Sequence, residues 1–130
     1  MAYKKFLQID DDLDDCELFM DALNAISNSS YTGINDPVEA FHKLLMQEIK
    51  PDVIFLDLNM PVMSGLELLT EIKKQEILKQ IPVIIFSTSQ LEDIIWEAKQ
   101  LGAYDYISKP NNFDALKQIL RKYACEVKHA

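Results

Sequence analysis

Short apolar segments alternate with longer amphipathic stretches five times along the chain. The apolar segments have the length and the β-branched or aromatic content of strands. They are predicted at residues 5–9, 31–34, 53–56, 83–86 and 104–107. Residues 53–56 are apolar throughout, which is typical of a parallel strand covered on both faces.

The stretches that follow the strands repeat their apolar positions every three or four residues, as amphipathic helices do. Asp36-Pro37 provides an N-cap and a first-turn proline for the second helix, and Gly102 ends the fourth. Capping boxes are predicted at 64–67 and at 89–92, and the last helix at about 112–125. The side chains expected to face the core are Cys16, Phe19, Met20, Leu23 and Ile26 in the first helix; Val38, Phe41, Leu44 and Leu45 in the second; Leu68, Leu69 and Ile72 in the third; Leu91, Ile94, Ile95, Ala98 and Leu101 in the fourth; and Phe113, Leu116, Ile119, Leu120 and Tyr123 in the last.

Strands that alternate with helices predict an α/β fold with a parallel sheet between two helical layers. Right-handed crossovers leave few topologies, and we favour the doubly wound, flavodoxin-like strand order 2-1-3-4-5. The first and last helices are then expected on one face, and the other three on the opposite face. In this order a ligand site lies at the carboxyl ends of the first and third strands.

The bulk composition fits one cytoplasmic domain spanning residues 1–130, with no output domain after the last helix. The chain has 130 residues, and 21 acidic against 13 basic residues give a formal net charge of −8. This charge argues against a nucleic-acid partner, because such binding relies on many Lys and Arg contacts to phosphates. No apolar run approaches the roughly 18 residues that cross a bilayer, so we expect no membrane association.

The cysteines and histidines show no metal-ligand spacing. Cys16 lies at the start of the first helix and Cys125 at the end of the last, which is too far apart for a disulfide if the two helices run in parallel. Both thiols are therefore predicted to be free. His42 and His129 are expected at the surface.

Polar residues follow the ends of four of the five predicted strands. Asp10 and Asp11 follow the first, Asp57 the third, Ser87 the fourth and Lys109 the fifth. The carboxyl ends of parallel strands meet at one edge of the sheet. The sequence thus predicts three carboxylates, a hydroxyl and an ammonium group in one cleft.

A cluster of carboxylates is unfavourable alone, because like charges about 4 Å apart repel by about 4 kcal/mol at an effective dielectric constant near 20. Mg²⁺ relieves this repulsion and needs few protein ligands. Asp57 is then suited to act as a nucleophile on a phosphoryl group. Taken singly, these residues also have ordinary interpretations: an acidic helix start, a turn aspartate, a loop serine and an exposed lysine.

The chain resembles the receiver domain of bacterial two-component response regulators over nearly its whole length. The matching segments are Gln8-Ile9-Asp10-Asp11, Leu56-Asp57-Leu58-Asn59-Met60-Pro61 with Ser64-Gly65, Ile85-Phe86-Ser87, and Gly102-Ala103-Tyr104-Asp105-Tyr106-Ile107-Ser108-Lys109-Pro110. Each segment is a weak motif, and their order and spacing make the resemblance specific.

The resemblance implies a Mg²⁺ site and a phosphoacceptor. Asp57 would accept the phosphoryl group from a histidine kinase or a phosphotransfer protein and form an aspartyl phosphate. Asp11 would bind the metal directly and Asp10 mainly through water. Asn59 would offer its backbone carbonyl to the same ion.

The resemblance also implies which residues respond to the phosphate. Lys109 would pair with it, Ser87 would swing toward it and Tyr106 would follow inward. The Lys109–Pro110 peptide bond would be cis.

Two positions depart from the commonest pattern of this family. Thr88 replaces a smaller residue beside Ser87, which bears on access to Asp57, and Asn111 replaces a frequent aromatic residue. Three consecutive aspartates, residues 10–12, also leave the register of the metal pair open; Asp10 and Asp11 are preferred because Ile9 is the last apolar residue of the strand.

A downstream protein partner is expected on the face formed by the fourth helix, the last strand and the last helix. Trp96 points about 160° away from the apolar stripe of its helix, at 100° per residue, and is a candidate anchor. The alternative is an isolated apolar surface residue. A monomer or weak dimer is expected.

Two other functions were weighed against a non-enzymatic phosphorylation switch. A Mg²⁺-dependent phosphohydrolase with an aspartate nucleophile would need an Asp-x-Asp motif, whereas here Asp10 and Asp11 are adjacent and Asp57-Leu58-Asn59 lacks the second carboxylate. A pseudo-receiver, which binds partners without being phosphorylated, usually lacks one of the residues that this chain retains.

Overall fold

The computed structural model describes residues 2–125, and its elements follow the predicted alternation. They are β1 (Lys5–Ile9), α1 (Leu13–Ile26), β2 (Ser30–Ile34), α2 (Pro37–Leu45), β3 (Val53–Leu56), α3 (Gly65–Lys74), β4 (Val83–Ser87), α4 (Glu92–Gln100), β5 (Asp105–Ser108) and α5 (Phe113–Ala124). No helix in this described part is long and apolar enough to cross a membrane. His129 lies outside the described residues.

The five strands form one parallel sheet in the order β2-β1-β3-β4-β5, which confirms the predicted topology. β3 lies at the centre, between β1 and β4, and all four of its residues are buried. Its register pairs Leu56 with Ile9 of β1 and with Ile85 of β4. The residues that follow these strands are therefore brought together at the carboxyl edge of the sheet.

The two faces of the sheet carry separate cores, as the sequence predicted. α1 and α5 cover an aromatic core, in which the ring of Phe19 lies 5.0 Å from that of Phe55 and 5.7 Å from that of Phe86. α2, α3 and α4 cover an aliphatic core on the other face. The alternation of side chains along β3 divides its residues between the two.

Most of the predicted core positions of the helices are buried or half-buried, but Met20, Val38, Leu91 and Phe113 are exposed at 38%, 49%, 63% and 38%. Alanines take the closest positions against the sheet instead: Ala22 in α1 and Ala40 in α2 are fully buried. A pattern read from large apolar residues misses such contacts, because a small side chain lets the helix backbone approach closely.

The two predicted capping boxes have different outcomes. The Ser64–Glu67 box is present at the start of α3. The box predicted at 89–92 is wrong, because α4 begins at Glu92 after Leu91, which makes no side-chain cap. Ser89 belongs to the preceding loop, where its N–H donates to Ser87 Oγ over 3.3 Å and its carbonyl accepts from the Tyr106 hydroxyl over 2.8 Å.

Three smaller expectations also have outcomes. Cys16 and Cys125 are free thiols, and His42 is exposed, both as predicted. The cis Lys109–Pro110 bond is wrong: every peptide bond of the described residues is trans. The trans form is the intrinsically favoured one even before proline.

Gly65 allows α3 to begin directly against the end of β3. Its N–H donates to the Leu58 carbonyl over 2.9 Å. A Cβ at this position would overlap the backbone carbonyl oxygen of Asp57 and lie 2.8 Å from Leu58 Cα. Only glycine fits here without a shift of the backbone that carries Asp57.

We expect Gly65→Ala to lower the free energy of unfolding by about 2 kcal/mol or more, because two backbone segments must separate. Chemical denaturation measures this difference. Gly33→Ala is the comparison: the atom nearest its added Cβ, at 2.7 Å, is the Tyr31 hydroxyl oxygen, whose displacement costs its hydrogen bonds to Gln8 and the Cys16 carbonyl but no backbone shift, so a smaller loss is expected. Equal losses in the two variants would contradict the close approach as the cause.

Candidate functional site

Backbone hydrogen bonds fix the strand ends from which the acidic residues project. The Asp57 N–H donates to the Ile9 carbonyl over 3.0 Å, and the Asp10 N–H donates to the Ile34 carbonyl over 3.2 Å. The Asp10 backbone thus extends the pairing of β1 with β2 by one hydrogen bond, and the Asp57 backbone extends the pairing of β3 with β1. The two carboxylates are adjacent because their strands are neighbours in register.

The carboxylates of Asp10, Asp11 and Asp57 form one cluster, as the sequence predicted. Each residue offers an oxygen that lies within 4.8 Å of those from the other two. Asp10 and Asp57 are buried, whereas Asp11 is exposed at the mouth of the cluster. The cluster is therefore open to solvent on one side.

Lys109 reaches the cluster from the end of β5, which is the edge strand of the sheet. The register between β4 and β5 pairs Ser87 with Ser108, and the Lys109 N–H donates to the Ser87 carbonyl over 2.8 Å. The ammonium group then lies 2.7 Å from an oxygen of Asp10 and 2.7 Å from an oxygen of Asp15. It is 3.6 Å from Asp57 Oδ1.

The site holds more negative than positive charge. Burial, and then the Asp10 charge, raise the pKa of Asp57 to about 6, although Lys109 opposes this. Burial also raises the pKa of Asp10 against hydrogen bonds from Lys109 and the Asp12 N–H. For Lys109, burial lowers the pKa, but the hydrogen bonds to Asp10 and Asp15 outweigh it and raise the pKa overall. One ammonium group cannot neutralise all the carboxylates around it, so the site attracts a cation.

The cluster fits a hard divalent cation. Oxygens that share one octahedral Mg²⁺ at about 2.1 Å lie about 3–4 Å apart, and the three carboxylate oxygens here lie within 4.8 Å of one another. The donor set is all oxygen, and the exposed side leaves room for the water ligands that Mg²⁺ retains. Asp10, Asp11 and Asp57 are the residues that would hold the ion.

The other predicted site residues take different positions. Ser87 is fully buried at the end of β4, and its Oγ accepts from the Ser89 N–H. Tyr106 is half-buried against the aliphatic core. Asn59 and Thr88 are both exposed in the loops that follow β3 and β4.

Three residues that hold the site together escaped the sequence analysis. The Asn35 side-chain amide donates to the Asp10 carbonyl over 2.9 Å, and the Cys16 thiol lies 3.6 Å from the same oxygen. Asp15 pairs with Lys109. For Asp15 and Cys16 the available clue was their place in the first turn of α1. Only three residues separate this helix from β1, so its first turn must lie close to the end of that strand.

The family comparison agrees with this fold and site. Residues 6–121 match the response regulator receiver domain, and the chain belongs to this family. It is 36% identical over 117 residues to the transcriptional regulatory protein KdpE of Staphylococcus aureus, covering 90% of this chain and 48% of KdpE. It is 33% identical over 119 residues to the probable C4-dicarboxylate response regulator DctR of Bacillus subtilis, covering 92% of this chain and 51% of DctR. The chain thus spans about half the length of these two relatives.

Solved structures of receiver proteins match most of the chain. The phosphorylated cyanobacterial phytochrome response regulator RcpA superimposes with a TM-score of 0.84 at 37% identity, over 93% of this chain and 91% of RcpA. The Mn²⁺-bound form of the response regulator Rcp1 gives 0.79 at 30% identity, over 92% of this chain and 90% of Rcp1. Receiver domains bind Mg²⁺ or Mn²⁺ in an acidic pocket, and the aspartate cluster provides such a pocket here.

We expect Asp57→Asn to stabilise the metal-free protein at pH 7 by about 1–3 kcal/mol, because each pKa unit is worth about 1.4 kcal/mol. The folded-state pKa of about 6 lies above the ordinary 3.8, so the Asp57 carboxyl costs no stability below pH 4 and costs increasing stability as the pH rises through 6. Asparagine cannot ionise and avoids this loss. The gain should disappear at pH 4.

Urea unfolding in a chelating buffer at the two pH values measures the effect. Asp21→Asn is the control, because it removes one charge from an exposed position of α1. A gain of the same size at pH 4 and pH 7 would contradict an origin in the buried charge.

Proposed function

We propose that this chain is a phosphorylation switch in which Asp57 accepts a phosphoryl group from a histidine kinase or a phosphotransfer protein. Proteins of both kinds interact with receiver domains. The observation that carries the proposal is the placement of Asp57 at the end of the central strand, beside Asp10 and Asp11 and 3.6 Å from the ammonium group of Lys109. We propose Mg²⁺ as the metal, with the Asn59 backbone carbonyl as a further ligand.

In the transfer step a carboxylate oxygen of Asp57 forms the new bond to phosphorus. The bond between phosphorus and the donor atom breaks, and the leaving group departs with its electron pair. Asp10, Asp11 and Asp57 would hold the cation, which would supply positive charge to the transferring oxygens when bound. Ionised Asp57 is the reactive form, and its pKa of about 6 leaves most molecules ionised at neutral pH.

We propose that two further groups meet the phosphoryl oxygens. Lys109 supplies a positive charge from the side of β5. We propose that the Ser87 hydroxyl gives up the Ser89 N–H and turns toward the phosphate. Thr88 is exposed beside it, and its effect on access to Asp57 stays a prediction.

The switch would be read on the α4-β5-α5 face. The Tyr106 hydroxyl donates to the Ser89 carbonyl, so Tyr106 is tied to the loop that follows Ser87 and leads into α4. A movement of Ser87 would release this contact and let Tyr106 turn inward. Trp96 of α4 is 65% exposed on the same face and is the proposed anchor for a downstream protein.

Enzymatic activity is not part of the proposal. The protein-glutamate methylesterase/protein-glutamine glutaminase of Treponema denticola is 43% identical over 72 residues, but the match covers only 19% of that enzyme. Such a match gives no ground for ester hydrolysis by this chain. A stand-alone receiver without an output domain, monomeric or weakly dimeric, also stays a prediction.

We expect incubation with a small acyl phosphate and Mg²⁺ to add one phosphoryl group to the wild-type protein. Intact-protein mass spectrometry detects the mass increase. The adduct should depend on Mg²⁺ and should be absent in Asp57→Asn, because the nucleophile is lost.

Asp52→Asn is the control for the substitution itself, since Asp52 is exposed at the opposite end of β3 and caps the Lys4 and Lys5 N–H groups. An adduct that survives in Asp57→Asn would assign the phosphoacceptor elsewhere. A wild-type protein that takes no adduct under any metal condition would favour the pseudo-receiver.

We expect phosphorylation to change the fluorescence of Trp96, the only tryptophan of the sequence. The change follows from the link between Tyr106, the loop before α4 and the exposed indole ring. Tyr106→Phe removes the hydroxyl that makes this link and should reduce the response without preventing the adduct. Unchanged emission in a sample shown by mass to be phosphorylated would contradict this route.

A further inference from the structure

Lys109 is held by two carboxylates, neither of which is the proposed phosphoacceptor. An ammonium group has three N–H donors. Two of them are directed to Asp10 and Asp15 at 2.7 Å each, whereas Asp57 Oδ1 at 3.6 Å lies beyond hydrogen-bond distance. Lys109 therefore lies beside Asp57 but donates its hydrogen bonds to Asp10 and Asp15.

Asp15 reaches Lys109 because of the way α1 begins. Asp12 is the N-cap, and its side chain accepts from the N–H groups of Asp14 and Asp15. This cap turns the first helical residues back over the sheet edge. The Asp15 carboxylate then meets the ammonium group, while that of Asp14 remains exposed.

We propose that Asp15 is a positioning residue that withholds Lys109 from Asp57 and must release it when the phosphoryl group arrives. This inference rests on the proposed function. The bound phosphoryl group carries roughly 1.5–2 negative charges, against one on the carboxylate that it modifies, and it presents three acceptor oxygens. Lys109 is then attracted to phosphate more strongly than to a single carboxylate, and one of its two present partners gives way.

Burial decides which partner gives way. The side chain of Asp10 is 1% exposed, and that of Asp15 is 32% exposed. Without a bound cation, releasing Asp10 would leave a buried carboxylate with no positive partner, which is costly. Water can solvate the Asp15 carboxylate once Lys109 leaves, so exchange at Asp15 is the cheaper route.

Asp15 opposes phosphorylation in two ways under this scheme. It holds the ammonium group that the phosphate needs, and its charge repels an anionic donor. Asparagine at position 15 keeps the size and an oxygen acceptor but removes the charge. The pair with Lys109 weakens, and Lys109 becomes free to turn to Asp57.

The test measures the rate of phosphoryl adduct formation in Asp15→Asn with a small acyl phosphate and saturating Mg²⁺. We expect the rate to rise about threefold or more, as for loss of a partly exposed ion pair. Asp14→Asn is the matched control, since it removes the same charge from the next residue of the same turn. Its rate should stay within about twofold of wild type.

A second measurement reports the ion pair without any phosphorylation. Nuclear magnetic resonance of the ¹⁵N-labelled Lys109 ammonium group gives its hydrogen exchange with water. In wild type and Asp14→Asn this exchange should be slow, and in Asp15→Asn it should be markedly faster.

Each outcome bears on the proposal. A rate that is unchanged or lower in Asp15→Asn would overturn the withholding role, as would an equal rise in Asp14→Asn, which would point to overall charge. Unaltered ammonium exchange in Asp15→Asn would overturn the pairing. If wild type forms no adduct, the proposed function fails and the role of Asp15 fails with it, while the exchange measurement still decides whether the pair exists.

Discussion

The ammonium group of Lys109 is the single positive charge around which the carboxyl edge of the sheet is organised. It lies within 2.7 Å of oxygens from Asp10 and Asp15 and 3.6 Å from Asp57, so it joins the ends of β1, β3 and β5 to the first turn of α1. Four carboxylates, counting Asp11, surround this one cation. Burial, and then the imbalance of charge, explain the raised pKa of Asp57, and the imbalance also suits the site to a metal ion.

The apolar core is what makes this imbalance sustainable. β3 is buried on both faces, and Asp57, the residue that follows it, is therefore buried as well, although burial of its charge is unfavourable. Burial of the aromatic and aliphatic layers supplies the favourable free energy that offsets the unfavourable electrostatics. Locally costly groups of this kind persist where the surrounding structure fixes them, and they are common at functional sites.

Periodicity predicted the strands and the polar residues that follow them, because the end of an apolar run shows directly where a strand stops, whereas the strand order was chosen among the few topologies that right-handed crossovers allow. Periodicity was less informative about helices. Val38 was expected inside and is exposed, since a hydropathy pattern does not show that Ala40 packs closest to the sheet. The contribution of Asp15 was missed for a related reason: it depends on where α1 begins to within one residue, and three neighbouring aspartates are equally good caps by sequence. Tertiary contacts such as that of Asn35 leave no periodic signal at all.

Lys109 and Asp10 are separated by 99 positions in the chain, yet they form one hydrogen bond. The acidic pocket is thus completed by a residue that leaves the ribosome long after the strand it serves. During synthesis the aspartates that follow β1 and β3 emerge before Lys109. A molecule truncated before β5 lacks the lysine permanently, and one in which β5 is detached lacks its charge while it is open. The acidic pocket is therefore also a check of structural completeness, because a molecule that has lost the last strand cannot form it in full.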